Sequence, residues 1–339
     1  MKKSLLALAA LTAFAGVASA QSSVTLFGII DMSLKSVENG STGSVKSLAS
    51  DGNASNRIGF RGVEDLGGGL KAGFWIEGGM DPSTGGTGQT WQRRSTASLM
   101  GGFGEIRLGR DYTASFWNYT YFDPFGTNGV GNVLNVVSTL GSGATTLVRA
   151  NNTVSYFLPA MGGLYGQLQV AASENTTGNK YLGGRIGYAA GPLNVAGAWG
   201  NTKKTGTMLN DYTDKNIGVS YNMGFMTLMG QYAKRDYTSL SSKTILLGAL
   251  VPMGNGTLKA SYTKASGTAA LAHGYDAKQL ALGYVYDLSK RTALFAHYAR
   301  IDNDGTSANG ANFTIGGGNA GMARGANSTG YEFGIRHSF

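Results

Sequence analysis

Cysteine is absent from the 339 residues, which removes disulfide scaffolds, thiolate zinc sites and cysteine nucleophiles. Proline occurs only 5 times. Charged residues make up 14%, against a usual ~25%, which is too few for an ordinary soluble surface. Beyond residue 20, no apolar run approaches the ~20 residues of a spanning helix, so any membrane crossing must use strands. The sequence also lacks HExxH, calcium-loop and strand–glycine–helix phosphate-binding patterns. What it has in quantity is glycine, 54 residues without the G-X-Y period of collagen, and tyrosine, 17 residues. Aromatics at 10% argue against disorder. Mean hydropathy is near zero. A transmembrane β-barrel reconciles this with low charge, because apolar residues face lipid while polar residues face a wet lumen.

The N-terminus reads as an export signal over residues 1–20. Lys2 and Lys3 precede an apolar run from Leu5 to Ala18, and Ala18-Ser19-Ala20 has the small-residue pattern of a cleavage site. Cleavage between Ala20 and Gln21 would leave one domain, residues 21–339. Losing two lysines takes the net charge from +9 to +7.

Period-2 alternation then runs the length of the chain. Val24, Leu26, Ile30, Met32 and Leu34 share one face, interrupted by Gly28, with Thr25, Asp31 and Ser33 opposite; Phe27 and Ile29 break the rule. Ile58 and Phe60 oppose Arg57 and Arg61, and Tyr331, Phe333, Ile335, His337 and Phe339 form the outward face of the last strand. Helical periodicity is hinted at only around Tyr112 to Tyr121. Seven short turns are legible, at 64–69, 101–104, 159–163, 190–192, 222–224, 252–256 and 287–291. Glycine and asparagine in most of them supply the positive φ that tight hairpins need. Seven hairpins plus a first and a last strand predict sixteen antiparallel strands, an even number, as closure requires. The alternate connections are long and polar, at about 36–56, 78–92, 111–148, 172–180, 200–214, 234–243, 264–277 and 302–328. A soluble β-sandwich or solenoid also alternates, but its outward face would carry charge.

Sixteen strands leave an aqueous channel, so function lies in what narrows it. The longest loop, 111–148, carries Tyr112, Phe116, Trp117, Tyr119, Tyr121, Phe122 and Phe125. So many aromatics are expected to fold into the barrel; an external cap against a partner is the alternative. Alternation puts Arg57, Arg61, Arg94 and Arg149 in the lumen, with Lys71, Trp75 and Glu77 on a neighbouring inward face. Arg93 has the wrong parity unless a bulge turns it inward. The loop contributes only Asp111 and Asp123 as acids, so the field should favour anions. Catalysis is poorly supported: His297 with Asp302 is the sole candidate pair. No cofactor, metal or nucleic acid is expected.

Specific segments strengthen this reading. They include Gln21 to Gly28, Arg57-Ile58-Gly59-Phe60-Arg61-Gly62 through Phe74, Arg93-Arg94-Ser95, Leu108-Gly109-Arg110-Asp111, Arg149 to Tyr156, Tyr284 to Thr292 and Gly334 to Phe339. With these the chain resembles the general porins of β-proteobacteria. The resemblance implies a homotrimer in the outer membrane, among outer-membrane lipid and lipopolysaccharide. It also implies an inward-folded third loop and a constriction at Arg57, Arg93, Arg149 and Glu77. Asp123 alone remains of the acidic loop pattern of cation-preferring relatives. Parity favours Arg94 and the resemblance Arg93, so both stand. Phe339 would be the C-terminal signal read by the barrel-assembly machinery. The expected function is passive, anion-preferring diffusion of small hydrophilic solutes, not catalysis. The alternatives are a channel specific for phosphate or organic anions, or a barrel serving mainly as an adhesin or structural protein.

Overall fold

The computed structural model describes residues 23–86, 90–172, 180–203, 211–267, 276–305, 311–317 and 322–339. The proposed signal, with Ala20 and Gln21, lies outside them. The first half of the barrel runs through β1 (Ser23–Asn39), β2 (Ser44–Ser50), β3 (Arg57–Gly67), β4 (Leu70–Gly79), β5 (Arg94–Gly101), β6 (Gly104–Tyr112), β7 (Arg149–Phe157) and β8 (Leu164–Ala171). The second half runs through β9 (Lys180–Ala190), β10 (Leu193–Lys203), β11 (Tyr212–Asn222), β12 (Thr227–Tyr237), β13 (Leu240–Met253), β14 (Gly256–Gly267), β15 (Ala277–Asp287), β16 (Thr292–Asn303) and β17 (Ser328–Ser338).

All pairings are antiparallel; apart from β1 with β3 and β1 with β17 they join chain neighbours, and β1 closes the sheet by pairing Ile29–Asn39 with β17. Seventeen segments make sixteen staves. The same edge of β1 meets β3 along Ser23–Ile29 and β2 along Met32–Glu38, so β2 and β3 are one stave broken at 51–56. The cause of the break lies on β1. The buried Asp31 carboxylate accepts the backbone N–H groups of Gly52 (2.8 Å), Asn53 (3.0 Å) and Ala54 (2.8 Å), pulling that segment out of the ladder.

All seven short turns are present at one rim. Two of the long connections differ from expectation. Residues 36–56 are largely a hairpin of β1 and β2, and 234–243 shrinks to the two-residue turn Thr238-Ser239. The strands persist there because Tyr237 and Leu240 bury themselves against Tyr212 and Leu140.

Burial is inverted relative to a soluble protein. Asp31, Arg235, Gln169 and Gln279 are fully buried, while Leu34, Leu168, Leu247 and Phe333 stand exposed on the outside. A barrel closed edge to edge satisfies its own backbone and can present that apolar wall to lipid. The gap at Gly28 in the apolar face of β1 has a partner: the Phe339 ring lies over it, where a Cβ would fall 2.2 Å from the ring. Gly28 and Phe339 also exchange backbone hydrogen bonds of 3.0 and 3.1 Å. Phe27, an exception to alternation, packs inward, edge-on to Trp75 at 5.1 Å.

Candidate functional site: the loop-narrowed lumen

The connection between β6 and β7 folds into the barrel, and its local sequence explains how. Helix α1 (Phe116–Tyr121) forms where helical spacing was hinted at, and it turns Phe116 and Tyr119 onto Ala233 and Leu246 of the wall. Further on, Phe125 and Val130 pack against Ala265, Ala281 and Ala299. Small wall residues make room for these rings. At Gly218 a Cβ would come within 2.0 Å of Phe122, and at Gly248 within 2.4 Å of Pro124. Polar anchors complete the seating. Asn118 donates to Ala196 O (3.0 Å) and Asn216 Oδ1 (2.8 Å), Gln279 donates to Gly131 O and Asn132 O, and Val130 N donates to Glu332 Oε1 (2.9 Å). The broken stave joins in: Gly129 N donates to Asp51 O, and Ser55 donates to Asn128.

The passage left open runs between this loop and the wall of β3 to β7. A space of about 370 Å³ is bordered on the loop side by Trp117, Tyr121, Thr127 and Asn128, and on the wall side by Arg57, Arg93, Arg94 and Arg149 with Glu77. Each cation is held rather than free. Glu77 Oε1 receives Arg93 Nε at 2.6 Å and Arg57 at 3.4 Å, while Trp75 Nε1 donates to Glu77 Oε2 at 3.1 Å. Arg149 donates to Arg93 O at 2.7 Å and lies 4.4 Å over the Tyr112 ring. Arg93 and Arg94 are not alternatives, since both border the same space. Arg93 precedes β5, whose first residue is Arg94, so strand parity does not govern it. Arg94 stacks 4.4 Å over Trp75 and lies 3.6 Å from Asp111.

Below this level the wall stays basic. Arg61 lies over Phe27 and Trp75 at 5.5 and 5.1 Å, and Lys71 stands across β3 from Asp65 near the short-turn rim. Further inward arginines went unnoticed in the sequence, two of them beside the passage. Arg107 pairs with Glu105 (2.8 Å) and Asp111 (2.7 Å), and Arg185 donates to Asn118 Oδ1 (2.6 Å) beside Tyr121 and Tyr165. The alternation around Ile106-Arg107-Leu108 and Arg185-Ile186 carried that signal.

Asp123 is not at the passage. Its buried carboxylate accepts the N–H groups of Phe125 (2.9 Å), Thr127 (3.1 Å) and Val133 (3.1 Å). Burial pushes its pKa up although those hydrogen bonds oppose the shift. The acid therefore shapes the loop from within. His297 does not meet Asp302. It pairs with Glu332 at 2.9 Å, stacked on Phe295, and Asp302 binds Arg300 on the surface.

Comparison with known proteins decides the family. A family model described as Gram-negative porin matches residues 7–306. The chain belongs to the Gram-negative porins. It is 38% identical to outer membrane porin protein 32 of Delftia acidovorans, across the whole of both chains. It is 30% identical to a major outer membrane protein P.IB of Neisseria gonorrhoeae, covering 86% of this chain and 91% of the relative. Among solved structures, the anion-selective porin from Comamonas acidovorans superposes with a TM-score of 0.84 at 34% identity, covering 94% of this chain and all of that one. This porin is thus an outer-membrane channel, from a family of channels rather than enzymes.

Proposed function

We propose that this porin is a general diffusion channel that prefers anions and works as a homotrimer, without catalytic activity. The observation that carries the preference is the charge facing the narrowed lumen. Seven guanidiniums (Arg57, Arg61, Arg93, Arg94, Arg107, Arg149 and Arg185) meet three carboxylates (Glu77, Glu105 and Asp111). A low-dielectric wall focuses such a field and enriches small hydrated anions at the narrowest level. The solved relative titled anion-selective supports the same sign. The His297 side chain is buried between Phe125 and Phe295 and pairs with Glu332 rather than with Asp302. Residues 1–20 serve export and Phe339 serves assembly in this reading.

The decisive measurement is the reversal potential of the purified protein in a planar bilayer across a KCl gradient. The expected sign is that of chloride preference. A potential of cation sign would overturn the anion reading. A current blocked saturably by phosphate or by an organic acid would point instead to a substrate-specific channel.

A further inference from the structure

A second space of about 300 Å³ lies between α1 and the wall, nearer the short-turn rim, where Phe157 and Tyr165 flank the 159–163 turn. It shares Arg94, Trp117 and Tyr121 with the narrowed passage, so a solute leaving the arginines there meets this space next. Its lining differs in kind. Three arginines and four aromatic rings border it, and no carboxylate among the described residues does, whereas the passage has Glu77 and Asp111.

Two of those arginines, Arg94 and Arg107, are already matched by Asp111 and Glu105. Arg185 has no carboxylate partner among the described residues. Neutral groups hold it instead: Nε donates to Asn118 Oδ1 at 2.6 Å, Nη2 donates to the Tyr165 hydroxyl at 3.3 Å, and the guanidinium lies over the rings of Tyr121 (5.0 Å) and Tyr165 (4.8 Å). These contacts fix the cation without neutralising it. Directly across the β8–β9 ladder stands Gln167, only 4% exposed, whose side-chain nitrogen has no hydrogen-bond partner. A buried donor left unpaired is costly, and an acceptor arriving in this space would satisfy it. On the loop side, Tyr121 stacks on Trp117 with centroids 5.5 Å apart, yet remains 51% exposed. Aromatic surface is therefore left open beside an unmatched cation and an unmatched amide.

We propose that this space is a subsite for single-ring aromatic carboxylates. The carboxylate engages Arg185 and the Gln167 amide, and the ring packs on the Tyr121–Trp117 pair. The inference rests on the diffusion reading and deepens it: the channel stays general, and this class of anion is retained weakly as it passes. Small inorganic anions would gain from the cation but not from the rings. Aromatic pairs add to the area they bury, which favours a flat ring over a saturated one of similar size. The volume, at the low end for ligand cavities, limits the solute to about one ring.

The test is a titration of the full protein in detergent with benzoate, followed by ligand-observed saturation-transfer NMR against a micelle blank. Cyclohexanecarboxylate, with the same charge and a saturated ring, is the comparison. Wild type should bind benzoate about fivefold more tightly than cyclohexanecarboxylate. Arg185→Gln should weaken benzoate binding about tenfold. Gln167→Leu should weaken it about threefold without lowering the unfolding temperature on detergent gels, because the amide it removes has no partner to lose. A purely structural glutamine would give the reverse, lower stability and unchanged binding. Equal affinity of wild type for the two acids would overturn the subsite, and that comparison needs no variant. Unchanged benzoate affinity in a folded Arg185→Gln protein would overturn the carboxylate anchor. The wild-type reversal potential separates the two readings: chloride preference with equal affinities sinks the subsite alone, and cation preference sinks the diffusion reading with it.

Discussion

Replacing Arg57, Arg93 and Arg149 together with glutamine tests the charge argument where it is most exposed. Glutamine keeps a polar, hydrogen-bonding side chain, and the change removes three of the seven guanidiniums lining the narrowed lumen while Glu77, Glu105 and Asp111 remain. A unit charge about 6 Å from the axis in a water-like dielectric contributes about 0.7 kcal/mol. Screening with a ~10 Å Debye length at 0.1 M salt reduces that to about 0.4 kcal/mol. Three charges then amount to about 1.2 kcal/mol, roughly an eightfold fall in local anion concentration. At 1 M salt the Debye length is about 3 Å, and the effect shrinks to less than about twofold. The local excess of guanidiniums over carboxylates falls from four to one, so the preference should weaken towards zero without reversing. The assay is the reversal potential across a KCl gradient, repeated in dilute and concentrated salt. A potential that stays at the wild-type value in dilute salt would refute the assignment. So would a shift of equal size at both salt concentrations, because that would not be electrostatic.

Glu77→Gln should act in the opposite direction, raising anion preference about twofold in dilute salt, since it removes the one carboxylate between Arg57 and Arg93; a fall in the preference would contradict the geometry. Asp123→Ala strips three backbone N–H groups of the inward loop of their acceptor, costing about 1–3 kcal/mol of loop stability. Noisier single-channel current and faster cleavage within 113–148 are expected, and a quiet, protease-resistant loop would count against it. Gly28→Val forces a side chain into the Phe339 ring at the closing seam. Overpacking of this kind costs about 1–3 kcal/mol, so the folded form should convert to the unfolded one on detergent gels at a lower temperature than wild type; an unchanged conversion temperature would argue against the contact.

Much of the fold was legible because a strand repeats every two residues and exposes its environment in that period. The turns at Gly68-Gly69, Gly101 to Gly104 and Gly191 announced themselves through residues that tolerate positive φ. The inward faces bearing Arg57, Arg61 and Arg149 followed from the same alternation, and the gap at Gly28 was visible before its occupant was. Alternation fails where the backbone leaves the ladder. Arg93 stands before its strand begins, and β6 shifts register between Gly109 and Asp111. Asp31 splits a stave through hydrogen bonds to residues 21 to 23 positions away, which no local pattern encodes. Asp123 looked like a pore acid because it is one of two acids in the loop expected to fold inward and all that remains of the acidic loop pattern of cation-preferring relatives. Its three N–H donors come from a turn that forms only when the loop folds.

By itself the sequence determined the class of solution: apolar and polar residues alternating along strands, with no helix able to cross, leave a closed barrel as the way to satisfy every backbone group in lipid. Short-range chemistry also determined which rim is tight and which strands carry inward arginine. Only the tertiary structure decided which charges meet. The distances that set the field across the lumen join β3, β4, the approach to β5 and β7 on one side with a folded loop on the other. Such distances depend on register and on where Phe122, Pro124 and Phe125 find glycine or alanine on a wall assembled from strands much later in the chain, from Gly218 to Ala299.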